Sequence, residues 1–415
     1  MHFPSPKEHV LPHNILCVAP PMELLANHTN KKIRGSMLGL AIGDAVGACV
    51  ESFPYERLVE NPVRDIIVDR PCRLPPGYWT DDTSMALCLA SSLISRQEFD
   101  PYNQMVRYKW WYRYGYLSST GVSFGSGRAT RQSLREFSKR QYILMRAFNL
   151  KTESEVDHLS FRTVKRVANF DVTCGRSYAT GNGALMRLAP IPLYFFRNPR
   201  VAIELCGRNS PLTHGSRLSM DACRYYGALI VATLNGETKQ QLLSNNFSEA
   251  HRAWFGRKGL CKQVLRIASG SYKRPGGYSM GIRGTGYVLK SLEAALWAFW
   301  SDQNSFRNSV LAAVNLGDDA NTTAAIYGQL AGSYYGQSDI PSKWLKILYA
   351  KQLIVCMSDW IHFLGLKTYL SPMIHKNMHY HVQVQMPKDQ LLHSVALYGE
   401  TFRKTVPRPI NSIFD

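Results

Sequence analysis

Two short clusters of oxygen-bearing side chains are the residues best suited to chemistry. Tyr78-Trp79-Thr80-Asp81-Asp82-Thr83 precedes a helical run that begins at Ser84, and Gly317-Asp318-Asp319-Ala320-Asn321-Thr322-Thr323 precedes another that begins at Ala324. Asp, Asn and Thr are favoured at helix N-termini, where they accept from free N–H groups and where negative charge suits the helix dipole. Capping is therefore one reading of each cluster. Each also holds more oxygens than a cap needs, and neighbouring carboxylates repel unless a cation lies between them. Oxygen-only donors select hard cations such as Mg²⁺, Mn²⁺ or Ca²⁺ over zinc. If the two helix starts face each other, they could hold a two-metal centre that polarises a leaving group and a water.

A third acidic group stands at the end of a glycine stripe. Gly35, Gly39, Gly43 and Gly47 recur every four residues, and the next step of four is Glu51. Residues four apart share a helix face. Each glycine costs about 1 kcal/mol of helix propensity relative to alanine, so something must approach that face closely enough to offset four of them. The stripe reads either as the seam of a tightly crossing helix, with Glu51 at a solvated end, or as a buried helix that presents Glu51 to a site. Asp44 lies beside the stripe and reads as a hydrogen-bonded structural aspartate.

Four further segments combine glycine with polar or aromatic residues. Gly181-Asn182-Gly183 is either a plain turn or a cradle of backbone N–H groups for phosphate or ribose oxygens. His214, in Thr213-His214-Gly215, is a packing or capping residue or a ligand contact. Tyr287 follows Gly284-Thr285-Gly286 and is either a core residue or a surface on which a base stacks. Gly121 to Gly127 is a flexible Gly/Ser loop, suited to a lid or to plain surface.

The elements that must position these residues are helices. Steps of three and four run through Ile33 to Glu51, Ser84 to Ser95, Asp221 to Asn235, Tyr287 to Trp300, Thr322 to Tyr335 and Lys343 to Leu364. Strand-like stretches are limited to Asp65 to Val68 and His381 to Met386. The pattern divides the chain into an irregular lead-in, 1–30, one large all-α domain, 31–370, and a tail, 371–415. Hydrophobic residues at 45% and charged residues at 19% exclude disorder as the main state. No apolar run approaches the ~18 residues of a membrane span, and Met1 to Val10 lacks the apolar core of a signal peptide. Nine cysteines with no CxxC pair argue against a disulfide framework and for a reducing, cytoplasmic compartment, with the nucleus left open. The 49 Lys and Arg against 30 Asp and Glu leave a net charge of +19, which suggests an acidic partner or nucleic acid. The basic groups Lys31, Lys32 and Arg34, or Lys139, Arg140 and Arg146, or Arg252, Arg257, Lys258 and Lys262, lie in no nucleic-acid-binding motif.

Taken together and in order, GLAIGDAVGACVE, WTDDTSMAL, SSTGVSFGSGRAT, GNGALMRLAPIPL, LTHGSRLSMDA, GTGYVLKSLEAALWAF and NLGDDANTTAAIYGQLAGSYYG resemble the ADP-ribosylglycohydrolase family. The resemblance implies an all-α orthogonal helical bundle and a hydrolase that cleaves the bond between ADP-ribose and a protein side chain, such as arginine or serine. It implies two Mg²⁺ or Mn²⁺ ions, held by Thr80, Asp81 and Asp82 and by Asp319, Asn321 and Thr322. Glu51 matches the glutamate that positions or activates water. Gly121, Gly181, Asn182, Gly183, His214 and Tyr287 match substrate-contacting positions.

Two positions depart from the family pattern. The second cluster of the family reads Asp-x-Asp followed by Thr or Ser, whereas here it reads Asp319-Ala320-Asn321-Thr322. Many relatives carry an aspartate where this chain has Gly125. Each change removes a negative charge: Asn321 predicts a weaker cation site, or one that holds one ion firmly and one loosely, and Gly125 removes a carboxylate that in relatives helps orient substrate or water. The two together also raise the alternative of a catalytically weakened or inactive ADP-ribose-binding protein.

Overall fold

The glycine stripe lies against a second helix at backbone distance. The computed structural model describes residues 1–21, 28–67 and 72–371. In it the helix His28–Gly47 crosses the helix Ala320–Tyr335 so closely that no side chain fits between them. A Cβ placed on Gly35 would lie 2.2 Å from the carbonyl oxygen of Gly332, one on Gly39 2.3 Å from that of Gly328, and one on Gly43 2.2 Å from that of Ala324. A Cβ on Gly47 would lie 2.4 Å from Cα of Asn321. The last glycine therefore rests on the second acidic cluster. Within this seam, Ser36 Oγ donates to the carbonyl of Gln329 at 2.8 Å.

The helix does not continue to Glu51. It ends at Gly47 and tightens into a 3₁₀ turn, Ala48–Val50, after which Glu51 is extended with φ −51° and ψ 131°. Glu51 thus follows the stripe in sequence without lying on its helical face. By length and composition the stretch His28–Val50 could cross a membrane, its 18-residue apolar window having mean hydropathy 1.4, but 83% of that window is buried inside the protein. Its apolarity serves the core.

Helices surround this pair, and among the described residues there is no strand, only an isolated antiparallel bridge between Gly181 and Tyr287. The principal helices are Asp81–Arg96, Pro101–Tyr114, Arg128–Ala147, Pro199–Asn209, Arg217–Leu234, Val288–Trp300, Phe306–Val314 and Lys351–Leu370. Their ends carry recognisable stops. Asp100 accepts from Asn103 N at 2.8 Å ahead of Pro101, and the same helix closes on Gly115 at φ +66°. The strand-like stretch at Asp65 is a bend as far as Ile67, and Val68 and His381 to Met386 lie outside the described residues, as does the tail beyond Ser371.

The periodic run Lys343 to Leu364 is two helices, Ser342–Ile347 and Lys351–Leu370. Between them Ala350 takes φ +43° and the Tyr349 N–H donates to the carbonyl of Gly77 at 3.1 Å. The break places the Tyr349 ring 4.3 Å from that of Tyr78 and 5.3 Å from that of Trp79, directly behind the first acidic cluster. The lead-in contains 3₁₀ turns at Pro6–Glu8 and Pro12–Asn14. It is tied down by His13, whose Nδ1 lies 2.5 Å from the Tyr349 hydroxyl, and by Trp360 Nε1, which donates to the carbonyl of Val18 at 2.7 Å.

Candidate active site

Asp44 caps the helix Asp81–Arg96 from another element. Fully buried, its carboxylate accepts from the Thr80 N–H at 3.0 Å, the Thr80 hydroxyl at 2.7 Å, the Thr83 N–H at 3.0 Å and the Thr83 hydroxyl at 2.7 Å. Thr80, at the N-cap position, makes no side-chain cap of its own. Asp81 and Asp82 are therefore free of the capping duty that their position suggests. The second helix start is similar. Asp319 occupies the N-cap without a side-chain cap of the helix backbone, and its Oδ2 accepts from Asn182 Nδ2 at 2.7 Å.

The two helix starts face each other. Asn321 Nδ2 lies 3.0 Å from Thr80 Oγ1 and 3.3 Å from Asp82 Oδ2. Asp82 Oδ1, Asn321 Oδ1 and Thr323 Oγ1 are buried without any hydrogen-bond partner. Buried acceptors left unpaired are costly, and here two of them belong to opposing clusters. Thr322 is buried and bonds to Asp319. Glu51 is fixed beside them by paired backbone bonds, Ser52 N to Asp318 O and Asp318 N to Phe53 O, each 2.7 Å. Near Glu51, Cys49 and Cys72 form a disulfide, while the other seven cysteines are free. That bond is a local clip rather than a framework, and nothing in the cysteine spacing signals it.

Burial and mutual repulsion raise the affinity of these carboxyls for protons. Burial pushes Asp81 up, reinforced by Asp44, Glu51 and Asp319. Burial does the same to Asp82, reinforced by Asp44, Asp81 and Asp319. Glu51 is pushed up to about 7 by burial and by Asp319 and Asp44, with Arg73 opposing. Among the described residues none of Asp44, Glu51, Asp81, Asp82 and Asp319 is in an ion pair. No three His, Cys, Asp or Glu side chains among the described residues form a ready-made metal cage. The donor set instead mixes carboxylates with hydroxyl and amide oxygens, and its unpaired buried oxygens fit a hard cation.

This arrangement has a pH signature. Each raised carboxyl binds protons more readily in the folded chain, so its contribution to stability falls as pH rises, for Glu51 from its ordinary value of 4.5 to about 7. In EDTA, Glu51→Gln is expected to gain melting temperature over the wild type at about pH 8, and the gain should shrink at about pH 5. Mg²⁺ should raise the wild-type melting temperature more at the higher pH. A gain of equal size at both pH values would refute the assigned repulsion.

The glycine-flanked loop is joined to the acidic cluster. Asn182 N donates to Gly286 O at 3.1 Å, Val288 N to Thr180 O at 2.9 Å and Asp319 N to Gly284 O at 2.8 Å. Asn182 Nδ2 bridges Asp319 and, at 2.9 Å, Ser291 Oγ. Gly181 and Gly183 lie on the His214 ring, where added Cβ atoms would come 3.1 Å from Nε2 and 2.8 Å from Cε1. His214 is itself buried, whereas Tyr287 is 38% exposed at the head of Val288–Trp300. In the Gly/Ser loop, Gly121 packs towards Leu11 of the lead-in. Gly125 is the residue that reaches the cluster: at φ +81°, its Cβ would lie 2.7 Å from Asp81 Oδ1. A separate cavity of about 380 Å³, walled by Phe3, Arg107 and Trp110 among others, includes none of the predicted site residues.

The same architecture is found in known proteins. The model of the ADP-ribosylglycohydrolase family matches residues 26–369. The ADP-ribosylarginine hydrolase Tri1 of Serratia proteamaculans is 33% identical over 346 residues, 83% of each chain. The protein of the same name from Pseudomonas putida is 34% identical over 318 residues, 76% of this chain and 73% of its own. A solved ADP-ribosylglycohydrolase-related protein complex contains a chain that is 34% identical and superposes with a TM-score of 0.63, covering 81% of this chain and 99% of its own. An all-helical body, two facing acidic helix starts and a match across most of the sequence converge on one conclusion: the chain belongs to the ADP-ribosylglycohydrolase family.

Proposed function

We propose that this chain hydrolyses the glycosidic bond between ADP-ribose and a modified arginine side chain, assisted by divalent cations. The observation that carries the cation part is the pair of buried, unpartnered oxygens, Asp82 Oδ1 and Asn321 Oδ1, on helix starts that face each other. Arginine as the acceptor rests on the names of the two relatives at 33% and 34% identity. Thr80, Asp81, Asp82, Asp319, Asn321 and Thr322 would hold Mg²⁺ or Mn²⁺. Bound there, such ions lower the pKa of water and offset negative charge on the substrate.

The chain's own residues divide the remaining work. Glu51, with a carboxyl near neutrality, takes a proton from the attacking water as oxygen bonds to the anomeric carbon. The bond to the guanidine nitrogen breaks, and the proton taken up by Glu51 passes, directly or through water, to that nitrogen to regenerate arginine. With the Asn182 N–H taken by the Gly286 carbonyl, the side-chain-free backbone of Gly181 and Gly183 lets the anionic ligand approach closely, and Tyr287 offers an exposed ring on which the adenine stacks. The net charge of +19 lies outside this acidic centre and draws in an acidic substrate protein.

The test is release of ADP-ribose by the full chain from ADP-ribosylarginine and ADP-ribosylserine peptides, in Mg²⁺, Mn²⁺ or EDTA. Release from the arginine peptide that EDTA abolishes is expected. Binding of ADP-ribose without release from either peptide would replace this reading with the non-catalytic one that Asn321 and Gly125 raise. Asn321→Asp bears on the same point. It sets a further carboxylate against Asp82, so it should lower the melting temperature in EDTA and tighten Mg²⁺ binding by about tenfold or more. Unchanged Mg²⁺ affinity, read by calorimetry, would remove Asn321 from the donor set.

A further inference from the structure

Behind the Gly181–Gly183 loop lies a buried cation that forms no ion pair among the described residues. Arg187 is fully buried, its guanidinium 4.4 Å over the Tyr108 ring, and its Nε has no hydrogen-bond partner. Among the described residues its hydrogen bonds run from Nη2 to Thr213 Oγ1 at 2.7 Å and, weakly, from Nη1 to Met85 Sδ at 3.8 Å. Thr213 is also fully buried, and its Oγ1 lies 2.8 Å from His214 Nδ1. A guanidinium can only donate, so Thr213 Oγ1 accepts from Arg187. Among the described residues the Thr213 hydroxyl proton then has one acceptor in reach, His214 Nδ1. If Nδ1 carried the imidazole proton instead, the Thr213 hydroxyl would be buried with its own proton unused, which is costly. The imidazole proton therefore belongs on Nε2, the atom that lies against Gly181 and Gly183 and that bonds to none of the described residues.

We propose that Arg187, acting through Thr213, is a positioning residue that locks His214 as its Nε2–H tautomer, so that the ring presents a donor through the gap between the two glycines to an oxygen of the bound ADP-ribose. The direction is fixed by an obligate donor at the far end of the chain of bonds. Burial and the nearby Arg187 charge hold His214 down to about 3, so the ring stays neutral and its single proton stays where Thr213 puts it. The absence of side chains at positions 181 and 183 leaves the Nε2 edge uncovered. The tautomer follows from the geometry alone, whereas the acceptor rests on the ADP-ribose reading of the site.

The two parts are tested separately on the full chain with nitrogen-15-labelled histidine. Long-range proton–nitrogen correlation reports the tautomer, with the His214 signal identified by its loss in His214→Gln. Wild type and Thr213→Ser are expected to show Nε2–H. Thr213→Val, which removes the hydroxyl at similar volume, and Arg187→Gln, which can accept as well as donate, should show exchange or Nδ1–H. Arg187→Lys, still only a donor, should restore Nε2–H. ADP-ribose affinity should fall about three- to tenfold in Thr213→Val and recover in Thr213→Ser. An Nδ1–H ring in the wild type overturns the proposal, as does an unchanged tautomer in Thr213→Val, whether or not the Arg187 variants fold. Failure of the wild type to bind ADP-ribose, with the tautomer as stated, overturns the substrate reading and leaves the relay standing.

Discussion

Glu51→Gln is expected to slow release of ADP-ribose by about 10²- to 10⁴-fold, the range in which a positioned general base contributes, while leaving a more stable protein at neutral pH. The two effects share one cause. Glu51 is largely buried among Asp319, Asp44 and Asp81, and this crowding pushes its carboxyl to about 7. A carboxylate that holds a proton this readily is a competent base near neutral pH, and for the same reason its ionised form strains the fold. Glutamine keeps the volume and removes both the proton acceptor and the repulsion. ADP-ribose binding should change by no more than severalfold, so the loss should fall on kcat. In the wild type, activity is expected to rise with pH as Glu51 loses its proton, with a midpoint at or below 7, because a cation held beside it would favour the ionised form. Activity of the variant within tenfold of the wild type, at saturating substrate and Mg²⁺, would remove Glu51 from the proton transfer. A variant both slow and less stable at about pH 8 would assign it a structural role instead.

What could be read from the sequence follows from what local rules encode. The stripe of glycines is visible because the helix repeat places every fourth residue on one face, and the clusters Thr80-Asp81-Asp82 and Asp319-Asn321-Thr322 are visible because helix starts have a chemical signature. Their meeting is tertiary. The sequence does not say that Asp44 takes over the capping of Asp81–Arg96, which is what releases Asp81 and Asp82 from that duty. Periodicity also carries the first helix through to Glu51, where the chain in fact tightens after Gly47 so that Ser52 can pair with Asp318. The run Lys343 to Leu364 has no local stop signal, and its break at Ala350 is held by a bond from Tyr349 to Gly77, distant in sequence. From sequence His214 reads as a ligand contact or a packing or capping residue, and it is buried against Gly181 and Gly183. The Cys49–Cys72 clip and the Arg187–Thr213 relay join residues whose spacing is uninformative.

Gly43→Val is expected to destabilise the fold by more than about 3 kcal/mol, the upper end of ordinary overpacking, out of the roughly 5–15 kcal/mol that holds a domain together. A Cβ at Gly43 would lie 2.2 Å from Ala324 O, 2.4 Å from Ala324 C and 2.7 Å from Ala325 N. All three obstacles are backbone atoms of a helix, so no rotamer change relieves the clash and the two helices must separate. Gly43→Ala gives the sign test. By helix propensity alone alanine should stabilise by about 1 kcal/mol, yet its Cβ meets the same atoms, so a lower melting temperature is expected. Gly127→Ala is the control, since a Cβ there meets nothing within 4 Å and should shift stability by less than about 1 kcal/mol. The site should register the same displacement. One turn beyond Gly43, Gly47 rests on the backbone of Asn321, and Asp44 holds the start of Asp81–Arg96. Separation of the seam therefore pulls the two acidic helix starts apart, and folded Gly43→Ala should bind Mg²⁺ more weakly than wild type. A Gly43→Ala protein more stable than wild type, with Mg²⁺ binding unchanged, would mean that the stripe is not the contact that sets the spacing of the site.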